Sequence, residues 1–293
     1  MKGSLCPEED FGMDTGQKEV QIEMGNDMIA AEIHPTALVS PLAKIAPGVK
    51  IGPYTVIEDG VEIGEGTVVK AHCVITGRAK IGKDCKILPG VYIGEEPQDL
   101  KYKGEDTTVE IGDRTVIHEC SIIHRGTNES WVTRIGSDCL LMGATHVAHD
   151  CQIGNRVILA HGSMLSGHVI VGDNAIVGGK TGVHQFVRIG RNAMVGGMSR
   201  LTQDVLPFTL AEGYPCTTFG LNSVGLKRAG MSEETRKTLK DAYRLLFRSK
   251  LLVADAIKQM KETLTPCPEL EEFINFAETM ERGFCHARSE GKK

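Results

Sequence analysis

From Ile33 to Leu201 every sixth residue belongs to one series of 29 positions, and 26 of them are Ile, Val or Leu. The exceptions are Asp99, Glu105 and Glu129. Four residues after the aliphatic comes a small or β-branched residue, as at Ala37, Thr55, Thr67, Ala175, Thr181 and Ser199. Gly often follows the aliphatic directly, as in Ile51-Gly52 and Ile189-Gly190. A short fixed period of this kind marks a repeat architecture, in which each unit buries its apolar side against its neighbours.

One large aliphatic and one small residue per hexad predict a parallel β-helix over 33–206. Each hexad is a short strand and a turn, three make a triangular coil, and the coils stack by parallel hydrogen bonding. The period leaves the hand of the helix open. The three breaks fall in two polar excursions, 95–110 and 126–133, and loops thrown from a rigid scaffold tend to carry function. After Val205 the period stops, and Pro207 and Pro215 punctuate an irregular crossing over 207–230. An α-helical domain is expected over 231–293. Ser232 caps its first helix, where Leu239, Tyr243, Leu246 and Phe247 recur at helical spacing. Further helices fit 251–264 and 269–282. This domain can cap the open solenoid end, bind a partner, or both.

A formal net charge of -5 gives no global case for nucleic acid or membrane binding. No apolar run approaches the ~20 residues that span a bilayer. Residues 1–32 hold eight acidic side chains against two lysines, unlike a secretory or transit signal, and are expected to be a disordered extension. Of the nine cysteines, Cys73, Cys85, Cys139 and Cys151 fall on the small inward slot and read as core hydrophobes. The count is odd and no CxxC pair occurs, so the cysteines support neither a disulfide framework nor a zinc site. A reducing, cytoplasmic setting follows.

Nine of the ten histidines lie in the repeat, and all nine avoid both inward slots. Close to one coil length, three hexads, separates His149 from His168, and His168 from His184. Such coils place the three on one edge, about 4.8 Å apart in height, with His146 nearby. Two chemistries fit. Three His could bind zinc, as in hexapeptide-type carbonic anhydrases. Alternatively, one could act as general base for acyl transfer, with the carboxylate of Asp150 orienting His149 and the Gly167 N–H serving the oxyanion.

Several strings resemble a known family. Gln98-Asp99-Leu100-Lys101-Tyr102, Ile123-His124-Arg125-Gly126, His146-Val147-Ala148-His149-Asp150, Gly167-His168-Val169, Val183-His184-Gln185-Phe186 and Gly225-Leu226-Lys227-Arg228 are similar to UDP-N-acetylglucosamine 3-O-acyltransferase, the first enzyme of lipid A synthesis. The resemblance runs from about Ile33 into the C-terminal helices and implies a left-handed helix. It implies that His149 is the general base, Asp150 its supporting carboxylate and Gly167 the oxyanion donor. Asp99, His146 and His168 would surround the sugar and thioester, with Gln98, Lys101 and His184 in the same substrate site. Gln185, Asn222 and Arg228 would hold the uridine diphosphate, a task suited to a forked guanidinium. Gly197 would be the acyl-length ruler, open to a long chain.

The family departs from this sequence at Ala229, where a second Arg is expected, and at Val224, where Glu is expected. The resemblance also implies a homotrimer, an (R)-3-hydroxyacyl donor on acyl carrier protein, and no metal or cofactor. Arg228, Lys237, Lys240, Arg244, Arg248 and Lys250 could form the carrier's docking patch or simply a solvated helix face. A related transferase acting on another nucleotide sugar, including a 3-amino one, and a zinc carbonic anhydrase are the rival enzymes.

Overall fold

The computed structural model describes residues 30–287; all but the last three residues of the acidic extension lie outside them. Twenty-six short strands, β1 (Glu32–Ile33) to β26 (Arg200–Leu201), form a left-handed parallel β-helix with three faces. The first face carries β1 and every third strand after it. The second begins with Leu38–Val39 and the third with Lys44–Ile45. Each aliphatic of the six-residue series, such as Ile57, Ile75 and Leu165, points into one continuous core.

The small inward slot does more than fill space. At many of these positions its hydroxyl or thiol donates to a carbonyl at a corner of the next coil: Thr55 Oγ1 to Lys70 O at 2.7 Å, and Cys73 Sγ to Leu88 O at 3.1 Å. Cys85, Cys139 and Cys151 donate in the same way, to Gly112, Gly154 and Ser166. A short polarizable donor fits where a larger side chain would not. Burial raises these thiols, and pushes Cys151 up to about 12, so they stay protonated donors.

Strand partners normally stand three hexads apart along the chain, as Val56 and Val74 do. Lys80 pairs instead with Glu110, five hexads on, and Glu110 with Arg134, four hexads on. The excess is two hexads and then one. Whole hexads therefore leave the prism, and the aliphatic phase survives. Both excursions depart from the corner between the second and third faces.

The crossing 207–230 is more ordered than its sequence suggests. β27 (Thr209–Glu212) extends the first face and pairs antiparallel with β28 (Thr217–Leu221), and α1 (Ser223–Arg228) follows. Phe208 and Leu206 turn from the solenoid into the helical core, where Leu226, Leu239, Phe273 and Ile274 meet them. That inward burial orders a segment too short to show a period. α2 (Glu233–Phe247) starts at Ser232, whose side chain accepts from Thr235 N. α3 (Val253–Thr263) and α4 (Pro268–Glu278) complete the domain. No helix among the described residues is long and apolar enough to cross a membrane.

Candidate active site

The corner between the second and third faces gathers the unusual chemistry. The strand His146–Val147 brings His146 to the surface and is followed by His149 and Asp150 in the turn. Asp150 holds φ +61°, a left-handed turn that Asp tolerates better than most residues. Its N–H donates to Thr133 Oγ1 at 2.8 Å, and its side chain is fully buried.

Four donors converge on that carboxylate. His149 Nδ1 lies 2.8 Å from Oδ2, Thr127 supplies its N–H at 2.9 Å and its hydroxyl at 2.7 Å, and Ser130 adds a hydroxyl. Burial alone would raise the Asp150 pKa. The hydrogen bonds from His149, Ser130 and Thr127 outweigh it and hold the group well below the usual carboxylate range. An ionised Asp150 fixes the His149 proton on Nδ1 and leaves Nε2 as the ring's basic atom.

The ring of His149 lies across Gly167, one coil on. A β-carbon there would fall 2.5 Å from His149 Cε1, so only Gly fits. Among the described residues the Gly167 N–H meets no acceptor. His168 follows, edge-on to His149 with ring centres 5.2 Å apart. Its Nε2 lies 3.5 Å from Glu129 and 3.6 Å from Asp150.

His149, His168 and His184 do share this corner on successive coils, but they do not occupy one slot. The pairing of Leu165 with Val183 aligns His168 with Phe186, and the two rings stack at 4.5 Å. His184 is aligned with Ser166 instead, is exposed, and turns Nδ1 to the Gln185 carbonyl at 3.1 Å. Gln185 is exposed beside it. His146 is edge-on to His124, and the Nε2 atoms of both are buried with no partner among the described residues. Burial pushes both rings toward the neutral form, and for His146 the neighbouring His124 and His149 add to it.

The excursion 95–110 leaves the same corner lower on the prism. Asp99 accepts the Lys101 N–H at 2.9 Å, while Gln98 and Lys101 face solvent. Arg125 ties the loop down, donating to the Tyr102 hydroxyl at 2.9 Å and the Gly94 carbonyl at 3.0 Å. The remaining residues lie apart from His149 within one chain. Asn222 caps α1, accepting Gly225 N at 3.1 Å and donating to Asn192 O at 3.0 Å. Arg228 is exposed at the end of α1. Gly197 lies at the corner between the first and second faces, where a β-carbon would meet Gly179 O at 3.2 Å.

Sequence reading missed Thr127, Ser130 and Phe186. The strand register alone points to Phe186, which stands one coil after His168; the two hydroxyls carry no periodic signal. His149, Asp150 and His168 could also be read as metal ligands, since their donor atoms lie within 4.8 Å of one another. The Asp150 oxygens, however, are already taken by protein donors, so the set is built as a hydrogen-bonded dyad rather than a ligand cage.

An aliphatic hexapeptide prism with a His–Asp dyad over an open backbone N–H defines a hexapeptide-repeat acyltransferase. A bacterial transferase hexapeptide family model matches 42–77 and 133–167, and a model of domain 2 of UDP-N-acetylglucosamine O-acyltransferase matches 204–285. LpxA of Acinetobacter baumannii is 43% identical, with a TM-score of 0.85 over 87% of this chain and 99% of that one. The UDP-N-acetylglucosamine O-acyltransferase of Moraxella catarrhalis is 42% identical, with a TM-score of 0.85 over 87% and 99%. The UDP-N-acetylglucosamine acyltransferase of Campylobacter jejuni is 33% identical, with a TM-score of 0.84 over 88% and 100%. This chain belongs to the UDP-N-acetylglucosamine O-acyltransferase family, and it is an O-acyltransferase.

Proposed function

We propose that this protein transfers an (R)-3-hydroxyacyl chain from acyl carrier protein to the 3-hydroxyl of UDP-N-acetylglucosamine, the first step of lipid A synthesis. The observation that carries the reading is the His149–Asp150 contact at 2.8 Å, with the His149 ring seated over Gly167. His149 Nε2 takes the proton of the 3-hydroxyl as its oxygen attacks the thioester carbonyl. The Gly167 N–H receives the negative oxygen of the tetrahedral intermediate. Collapse breaks the carbon–sulfur bond, and the proton held by His149 leaves with the carrier's sulfur. One ester forms, one thioester is lost, and neither an acyl-enzyme nor a metal is needed.

Asp99, Lys101, His146 and His168, with Gln98 and His184, form the sugar and thioester end of this reading, and Gln185, Asn222 and Arg228 the nucleotide end. Because Gly197 and Arg228 lie away from His149 in one chain, the groove is completed by other copies in a homotrimer. Apolar outward residues support that contact: Val116, Leu140, Ile158 and Ile176 on the first face, Ile122 and Met164 on the second. The acidic carrier docks on the exposed cations Lys237, Lys240, Arg244, Arg248 and Lys250, beside a cavity of about 730 Å³ that Tyr243 and Phe247 help to line. A KM for the carrier that ignores ionic strength removes this docking surface. The protein works in the cytoplasm.

Product analysis with UDP-N-acetylglucosamine and a panel of acyl carrier protein donors tests the reading. The expected product is an alkali-labile 3-O-ester. An alkali-stable amide on a 3-amino sugar, or no transfer from any donor, would contradict it.

A further inference from the structure

Glu129 breaks the six-residue series and has no role in the reaction described above, yet its loop is built with unusual care. The loop neck is closed where Gly126 meets Val132, so tightly that a β-carbon on Gly126 would fall 2.4 Å from Val132 N. Trp131 N donates to Thr127 O at 2.7 Å, closing the lobe on itself. Thr127 and Ser130, on either side of the tip, both donate to the Asp150 carboxylate. Glu129 lies between these two clamps, and its N–H donates to Thr127 Oγ1 at 3.3 Å. Its backbone is therefore fixed to the same carboxylate that orients His149.

From there its side chain reaches His168, with Oε2 3.5 Å from Nε2. The rest of that ring is also held. Phe186 stacks on one face with centres 4.5 Å apart, and His149 stands at its edge. Nδ1 meets no partner among the described residues. Both contacts are ion-pair range rather than hydrogen bonds, but a carboxylate can only accept, so two carboxylates facing Nε2 favour the tautomer with its proton there. The other nitrogen is left as the free acceptor.

We propose that Glu129 is a positioning residue: it holds the proton of His168 on Nε2 and so presents bare Nδ1 to a hydroxyl of the acceptor sugar. This rests on the acyl transfer reading for the identity of the sugar, but not for the contact itself. Asp150 cannot take over the task, because Oδ2, the oxygen nearer His168, already accepts from His149 and Thr127.

The test uses the full-length protein labelled with ¹⁵N-histidine, with Glu129→Ala and Glu129→Gln beside the parent. The parent is expected to show His168 in the Nε2–H tautomer. Glu129→Ala should lose that preference and raise the sugar-nucleotide KM about tenfold, with kcat changed far less. Glu129→Gln keeps an acceptor oxygen and should restore both. A loop that is only structural would lower the melting temperature without moving the tautomer. An unchanged His168 tautomer in Glu129→Ala overturns the proposal, as does a changed tautomer with parental KM. If the parent acylates no UDP-sugar, the functional reading fails, while the tautomer still decides the Glu129 contact.

Discussion

The imidazole of His149 rests on the backbone of Gly167, close enough that a β-carbon on Gly167 would fall 2.5 Å from Cε1 and 2.7 Å from Nε2. The proposed base and the proposed oxyanion donor are thus set against each other by the absence of a side chain. Gly167→Ala should push the ring aside and lower kcat by about 10²-fold, since a misplacement near 1 Å can cost that much. The strand register should persist, so far-UV circular dichroism should be unchanged. Parental kcat in this variant would show that the contact is not needed.

Gly197 is exposed, and a side chain there would project from the corner between the first and second faces. Gly197→Met should cut kcat/KM for long acyl donors by about 10-fold relative to short ones, because added bulk in an apolar groove discriminates on this scale. Equal losses on both donors would refute the ruler role. A β-carbon 3.2 Å from Gly179 O asks for a small backbone adjustment, so the melting temperature should be followed alongside.

His124 is buried and His146 half-buried, and desolvation holds both toward the neutral form, below the ordinary 6.5. Above pH 6.5 both states of the protein leave these rings neutral, and titration costs nothing. Below it the unfolded chain takes up protons that the folded chain refuses, so stability falls as pH falls. Asp150, depressed below its ordinary 3.8, acts with the same sign in a lower window: it stabilises above that pH, and its support is lost only below it. The melting temperature should therefore decline between pH 6.5 and 5, before the carboxylate is protonated. A flat profile across that interval would contradict the burial of the two rings.

Arg188 fastens the helical domain to the prism. Nε lies 2.8 Å from Asp204 Oδ2, its guanidinium covers the Phe276 ring at 4.3 Å, and its other nitrogens reach Thr279 and the Phe276 carbonyl. Arg188→Ala leaves the Asp204 carboxylate buried without its cation, at a cost of ~3 kcal/mol. Calorimetry should show a melting temperature lower by about 5–10 °C. A shift under about 1 °C would mean that the domain is held by its apolar core alone.

How far the sequence is legible follows from what each residue's slot depends on. The prism is readable because each inward slot, such as Ile75 or Cys73, obeys the same local rule along the whole chain. The loops are readable because Asp99, Glu105 and Glu129 break that rule in whole hexads. Spacing reveals the histidine edge, but spacing between like residues hides Phe186, the true neighbour of His168. Thr127 and Ser130 lie in an aperiodic loop, and their importance appears only when Asp150 is placed beneath them. α1 and the β27–β28 hairpin escape sequence reading because short segments bordered by Pro207 and Pro215 carry no amphipathic period. Docking onto Phe208 and the last coil, not local propensity, gives them order.

In the proposed reaction His149 removes the proton from the acceptor hydroxyl. His149→Ala, assayed under saturating UDP-N-acetylglucosamine and 3-hydroxyacyl carrier protein, measures this directly. The expected result is a loss of about 10²–10⁴ in kcat with binding largely kept. Turnover near that of the parent would rule out His149 as the base.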